Sequence, residues 1–225
     1  LRPLAVFDID GTLVDSRVLI HEAAVAGARA VGLPDPTYDE VRQTVGLSLP
    51  VAMRALAPDI PDAALDRFVA GFQAYFRAHY DAGREEPLYP GVDDMLRRLR
   101  KDGWRLALAT GQNRRGVARN LARAGWGDTF ISAHCAEDGP GKPDPTMLRA
   151  AMTACRACAA TTVMIGDTGH DHRMALNAGV PAYGVAWGFN TVEEQLAAGA
   201  VMVASDWPDL EAALDRFAVQ AFEIA

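Results

Sequence analysis

Two aspartates two residues apart, Asp8 and Asp10, stand before Gly11 and Thr12, and a second pair, Asp167 and Asp171, flanks Thr168-Gly169-His170 far downstream. Between the pairs lie Thr110-Gly111 and Lys142, the lysine in a Gly-Pro-Gly-Lys-Pro loop at 139–143. Each piece alone has a plain explanation. Asp-x-Asp-Gly is good turn chemistry, Thr168 to Asp171 has the spacing of a capping box, and a lysine in a Gly/Pro loop is an ordinary surface charge. Together they make a different demand. Carboxylates gathered at one place repel one another, and burying them uncompensated costs several kcal/mol, roughly, per ion. A hard divalent cation with oxygen ligands meets that demand, and Mg²⁺ fits best because it takes a few carboxylates plus substrate phosphate. Lys142 then adds a second positive charge for an anionic substrate, while Thr110 and the amides near Gly11 and Gly111 donate hydrogen bonds. Phosphoryl transfer is the reaction class that needs this combination.

The elements that must position these residues are legible from hydropathy patterning. Leu4–Ile9 is a short apolar run ending in a turn, and Arg105–Ala109, Thr162–Ile165 and Pro181–Ala186 repeat the type, with Thr129–Ile131 and Ala200–Val203 as weaker examples. Val92, Met95, Leu96 and Leu99 have helical spacing, and 113–124, 145–157, 168–178, 191–198 and 208–220 read likewise as helices. Strands alternating with helices of this length predict an α/β fold, a Rossmann-like doubly wound parallel sheet with helices on both faces. In such sheets ligands bind outside the carboxyl ends of the strands, which is where the charged residues fall.

Residues 16–87 break the alternation. They carry helical stripes, notably Leu65, Phe68, Val69, Phe72, Phe76 and Tyr80, and no convincing strand. The expected organisation is a catalytic core at 1–15 and 88–225 with an all-helical cap at 16–87, hinged at 14–16 and 84–88.

Composition narrows the class. Of 225 residues, 50% are hydrophobic and 23% charged, so the chain has the means to bury a sizeable core. Twenty-two basic and 29 acidic side chains leave a formal charge of −7, which gives no global attraction to nucleic acid or an anionic membrane. No apolar run nears the ~18 residues of a membrane span. The start, LRPLAVFDID, lacks the pattern of a signal peptide, so the cytoplasm is the expected compartment, for a monomer or homodimer. Three cysteines cannot all pair; Cys155 and Cys158 read as small apolar residues of an Ala-rich helix.

Asp8-Ile9-Asp10-Gly11-Thr12-Leu13 resembles the first motif of the haloacid dehalogenase-like hydrolases. Thr110-Gly111 resembles their second motif, Lys142 in GKPDP their third, and Gly166-Asp167-x-x-x-Asp171 their fourth, in matching order across essentially the whole chain. Around Leu88-Tyr89-Pro90-Gly91-Val92 it is most similar to the phosphoglycolate-phosphatase-like members. The resemblance implies a Mg²⁺-dependent phosphatase acting on a small phosphorylated metabolite. It implies Asp8 as nucleophile forming an aspartyl-phosphate and Asp10 as acid and then base. It further implies Mg²⁺ held by the Asp8 carboxylate, the Asp10 carbonyl and Asp167, with Asp171 ligating or holding a metal-bound water, and Thr110 and Lys142 orienting the phosphoryl group. Gly11, Thr12 and Gly111 are expected at the substrate.

Departures and rivals bear on this. Gln112 follows Gly111 where many relatives have Asn directly after the Thr or Ser. His172 reads as a surface residue, whereas His170 has reach to the crevice. Dehalogenating members lack an acid at the position of Asp10, and phosphonate hydrolases use a cap lysine, absent from 16–87. A β-phosphoglucomutase-like phosphoryl transferase and a non-catalytic scaffold stay as alternatives; a receiver-like signalling domain is shorter and lacks the insertion. Specificity is expected from a loop at Arg42–Ser48, with Arg42 and Gly46 at the substrate, Gly46 serving either close backbone approach or a helix stop. Arg17, His21, Arg114 and Arg115 are further candidates for a substrate carboxylate.

Overall fold

The computed structural model describes residues 2–224. Six parallel strands form one sheet: β1 (Leu4–Phe7), β2 (Arg105–Ala109), β3 (Ser132–His134), β4 (Thr162–Gly166), β5 (Ala182–Val185) and β6 (Met202–Ala204), in the order β3-β2-β1-β4-β5-β6. The chain winds outward from β1 through β2 to β3, returns to β4 on the other side of β1, and winds outward again. The order therefore reverses between β1 and β4, and a crevice opens at the carboxyl ends of those two strands.

Central strands are buried on both faces, so side chains of period two feed two cores. Ala5 and Phe7 enter one, with Val92, Met95, Leu96 and Leu99 of α5 (Val92–Lys101) and Leu210, Leu214 and Phe217 of α10 (Trp207–Ile224). Leu4 and Val6 enter the other, with Met147, Leu148 and Ala151 of α7 (Thr146–Ala154) and Met174 and Ala175 of α8 (Gly169–Ala178). The remaining helices of this layer are α6 (Arg114–Arg123) and α9 (Val192–Ala197).

Four helices lie between β1 and α5: α1 (Arg17–Ala30), α2 (Tyr38–Arg42), α3 (Leu49–Leu56) and α4 (Asp62–Asp81). They have a core of their own around Ala28, Ala52, Met53, Ile60 and Phe68. The segments that enter and leave them run side by side, with Val14 and Leu88 forming an antiparallel bridge, Asp15 N–H donating to the Pro87 carbonyl (2.9 Å) and Tyr89 N–H to that of Leu13 (3.1 Å).

Several element boundaries depart from the sequence pattern. The first strand stops at Phe7, because beyond it the amides of Thr12, Leu13 and Val14 all converge on the Ile9 carbonyl in one tight turn. The third strand lies at 132–134 rather than 129–131: the Thr129 amide is held in a turn by the Trp126 carbonyl and Ile131 is exposed at the strand's entrance. The Ala-rich helix ends at Ala154, where the chain reverses through Arg156 at φ 51°. Cys155 is thus a buried cap, and Cys158 is exposed at a single 3-10 turn (Ala159–Thr161) instead of being helical. No described helix is long and apolar enough to cross a membrane.

Helix α1 meets α4 across glycines. A Cβ on Gly27 would lie 2.8 Å from the Phe68 carbonyl oxygen, and one on Gly71 would lie 3.0 Å from Gly27 Cα. A Gly27→Leu substitution forces these helices apart and is expected to lower stability by about 1–3 kcal/mol in a denaturant titration.

Candidate active site

The turn after β1 and the loop after β4 put three carboxylates in one place. One oxygen each from Asp8, Asp167 and Asp171 lie within 4.8 Å of one another, and all three side chains are buried. Lys142 is the cation among them, its Nζ 2.6 Å from Asp171 Oδ1 and 3.0 Å from Asp8 Oδ2. Asp171 is fully engaged, since its Oδ2 also accepts from the Thr168 amide (3.1 Å) and hydroxyl (2.7 Å) at the start of α8. Asp167 accepts from Thr12 Oγ1 (2.9 Å) and the Phe189 amide (2.8 Å).

One lysine does not balance three carboxylates, and the protonation equilibria carry that imbalance. Burial pushes the Asp8 carboxyl up to about 7 despite Lys142, with Asp171 and Asp10 adding to the rise. Burial, with Asp171 and Asp8 adding to it, holds Asp167 well above the carboxylate range. Asp171 goes the other way: burial raises it, but the nearby Lys142 charge and the hydrogen bonds from Lys142 and Thr168, with His172 adding to them, together lower it. Asp8 Oδ2 is buried, and its polar neighbour among the described residues is the Lys142 ammonium at 3.0 Å. Three buried carboxylate oxygens converging with a deficit of positive charge are the donor set a hard divalent cation fits.

Backbone geometry makes the gathering possible. Gly11 has φ +78°, and a Cβ there would fall 2.2 Å from Asp167 Oδ2. Glycines 166 and 188 approach Asp171 and Asp167 as closely. The amide of Gly11 donates to the Val14 carbonyl and that of Thr12 to Ile9, so these two amides shape the turn and are not free for an anion.

Asp8 and Asp10 form the floor of a cavity of about 850 Å³ between the sheet edge and the inserted helices. Thr44–Pro50 arch over it, and Gly46 (φ +96°) comes so near Gly111 that a Cβ on Gly111 would lie 2.7 Å from the Gly46 carbonyl oxygen. Close approach is thus what these two glycines serve here. Phe72, Phe76 and Tyr80 of α4 line one wall; Gln112, Arg115 and Arg119 line the wall of α6. Thr110 is buried at the end of β2, its hydroxyl accepting from the Gln112 amide (3.3 Å).

Other sequence candidates lie elsewhere. Arg42 does not line the cavity; its guanidinium is held by Glu194 (2.6 and 3.0 Å) and Asp39 (2.6 Å), joining α2 to α9. Arg17 pairs with Asp15, Arg114 with Asp138, and His21 with the Pro36 carbonyl, whereas Arg115 does reach the cavity wall. His170 Nε2 is 3.1 Å from the Gln43 carbonyl beneath the arching loop. His172 is buried, not at the surface, with Nε2 3.2 Å from Gln195 Oε1. Two residues after His170 it points to the opposite side of α8, and burial lowers its pKa, leaving it a neutral core imidazole. Phe189, whose amide holds Asp167, and the α4 wall of the cavity are not indicated as site residues by the sequence pattern; Gly188-Phe189-Asn190, shortly after β5, is the available signal for Phe189.

A model of the haloacid dehalogenase-like hydrolases matches residues 5–185. A probable phosphatase, IndB, of Dickeya dadantii is 36% identical over 88% of this chain and 87% of its own length. A phosphoglycolate phosphatase of Agrobacterium fabrum is 31% identical over 85% and 84% respectively. Among solved structures, a hydrolase from Pseudomonas syringae superposes with a TM-score of 0.85 at 26% identity, over 96% of this chain and all (100%) of that one.

The Arg42–Glu194 pair has a pH signature. Arg42 holds the Glu194 carboxyl at about 2, below its usual 4.5, so the pair stabilises the fold above pH 4.5 and the gain is lost as the pH falls toward 2. Glu194→Gln is expected to melt below wild type at pH 7, with the two melting temperatures converging across that acid range in a circular dichroism series.

Proposed function

The chain belongs to the haloacid dehalogenase-like hydrolases and is a phosphoric monoester hydrolase; from that premise we propose that it is a Mg²⁺-dependent phosphatase of a small phosphorylated metabolite, phosphoglycolate-like in carrying its phosphate on an alkyl alcohol. The observation that carries this reading is the convergence of Asp8, Asp167 and Asp171 on one point, with Lys142 among them and Asp10 beside the cavity.

Asp8 attacks phosphorus in line, its carboxylate oxygen bonding to phosphorus as the bond to the alcohol oxygen breaks. Asp10 gives that leaving oxygen its proton. In the second half Asp10 takes a proton from water as the water oxygen bonds to phosphorus, and Asp8 leaves as a free carboxylate with release of inorganic phosphate. Asp8, the Asp10 carbonyl and Asp167 would hold Mg²⁺, with Asp171 beside them fixing Lys142. The ion supplies positive charge against the phosphoryl oxygens when bound. Lys142 and Thr110 orient those oxygens, and Gly111 lets the arching loop close over them.

Residues 16–87 serve as the cap, closing about the paired segments at 14–16 and 84–88 to exclude water. Its aromatic wall faces the leaving alcohol, and Arg77 and Arg115, which have no ion-pair partner among the described residues, stand at the cavity for its polar end. The cavity has room for an alcohol larger than glycolate, so sugar phosphates and nucleotides belong beside phosphoglycolate in a substrate panel.

Phosphate release from p-nitrophenyl phosphate is expected to require Mg²⁺, to stop on chelation with EDTA, and to fall to background in Asp8→Asn. Activity persisting in that variant would overturn the nucleophile. Mg²⁺ is also expected to raise the melting temperature of wild type and to raise that of Asp167→Asn less.

A further inference from the structure

A line of amides leads away from Asp10. Gln112 Nε2 donates to Asp10 Oδ2 (2.8 Å), Asn120 Nδ2 donates to Gln112 Oε1 (3.0 Å), and Arg123 Nε donates to Asn120 Oδ1 (2.8 Å). Arg123 is itself nearly buried, with a side chain 9% exposed, and its Nη1 donates to the Glu86 carbonyl (2.6 Å) where the chain returns from the inserted helices. Gln112 lies in the turn that leads into α6, and Asn120 and Arg123 lie along that helix, so the helix and its entry turn carry the row.

The polarity of the row has a single solution. A guanidinium can only donate, so Asn120 must turn its oxygen to Arg123 and its NH₂ to Gln112. Gln112 must then accept through its oxygen and present its NH₂ to Asp10. Asp10 Oδ2 is thereby fixed as an acceptor, which leaves Oδ1 as the oxygen to carry a proton; the Ser16 hydroxyl, the other hydrogen-bonding group beside this carboxyl, can accept as well as donate.

We infer that Gln112, oriented by Asn120 and Arg123, is a positioning residue that assigns the two oxygens of Asp10, Oδ2 to be held and Oδ1 to exchange a proton with the leaving group. This rests on the reading of Asp10 as the acid. Proton donation matters little for a phenolate that departs unaided and much for a more basic leaving oxygen, which separates positioning from a general loss of structure.

The test compares kcat/KM for p-nitrophenyl phosphate and phenyl phosphate, alike in shape and different in leaving-group basicity, in wild type, Gln112→Met, Asn120→Leu and Asp10→Asn. Gln112→Met is expected to lose about tenfold on phenyl phosphate and less than about twofold on p-nitrophenyl phosphate, as for one hydrogen bond to a charged group. Asn120→Leu is expected to show the same selectivity to a smaller degree, and Asp10→Asn to a larger one. Equal losses on both esters, or none, in Gln112→Met while Asp10→Asn stays selective would overturn the inference. Absence of selectivity in Asp10→Asn would instead overturn the assignment of Asp10 as the acid.

Discussion

A single buried ammonium set among three buried carboxylates is the constraint to which the rest of the molecule conforms. Lys142 can meet Asp8 and Asp171 at once only because β1 and β4 are neighbours and end at the same edge of the sheet. The parallel pairing in turn requires helical crossovers, and their apolar faces supply the two cores. The glycines at 11, 166 and 188 are the local counterpart: at these three places backbone passes so near Asp167 or Asp171 that a Cβ would collide with it. Removing one charge from such a group leaves the others uncompensated, so the site and the centre of the sheet stand or fall together.

The same arrangement explains how a chain of net charge −7 can serve an anionic ligand. Charge at the surface is predominantly negative, but the cavity brings Arg77, Arg115 and Arg119 to walls whose floor is made of acids. Attraction there is short-ranged and depends on the ligand being inside, which suits discrimination better than long-range capture.

The members of the charged group were legible in the sequence because parallel-sheet topology leaves little choice: residues that follow each strand share one edge, whatever their separation along the chain. Asp8, Asp167 and Lys142 needed only that rule. Orientation was not legible. Arg42 announces a cation, but its preference for Glu194 over the cavity depends on where α9 packs. His172 is separated from His170 by two positions and by the whole difference between core and crevice, which only the placement of Gln195 decides. Gln112 shows the limit most clearly. It reads as a departure from a motif, whereas its bond to Asp10 spans 102 residues and depends on Asn120 and Arg123 to set which end of its amide faces the acid. Boundaries were set by local turns of the backbone, at Ile9 and Arg156, that hydrophobic periodicity does not encode.

The bridge between Val14 and Leu88 has a consequence for how such a molecule can diversify. Because the outgoing and returning segments are stitched to each other next to the sheet, everything beyond the stitch is topologically a single excursion. Its length and fold can be exchanged wholesale without altering any strand order or crossover in the remainder, much as a graft is made on an intact rootstock. The excursion and the sheet can thereby vary as separate stretches of polypeptide that share one seam.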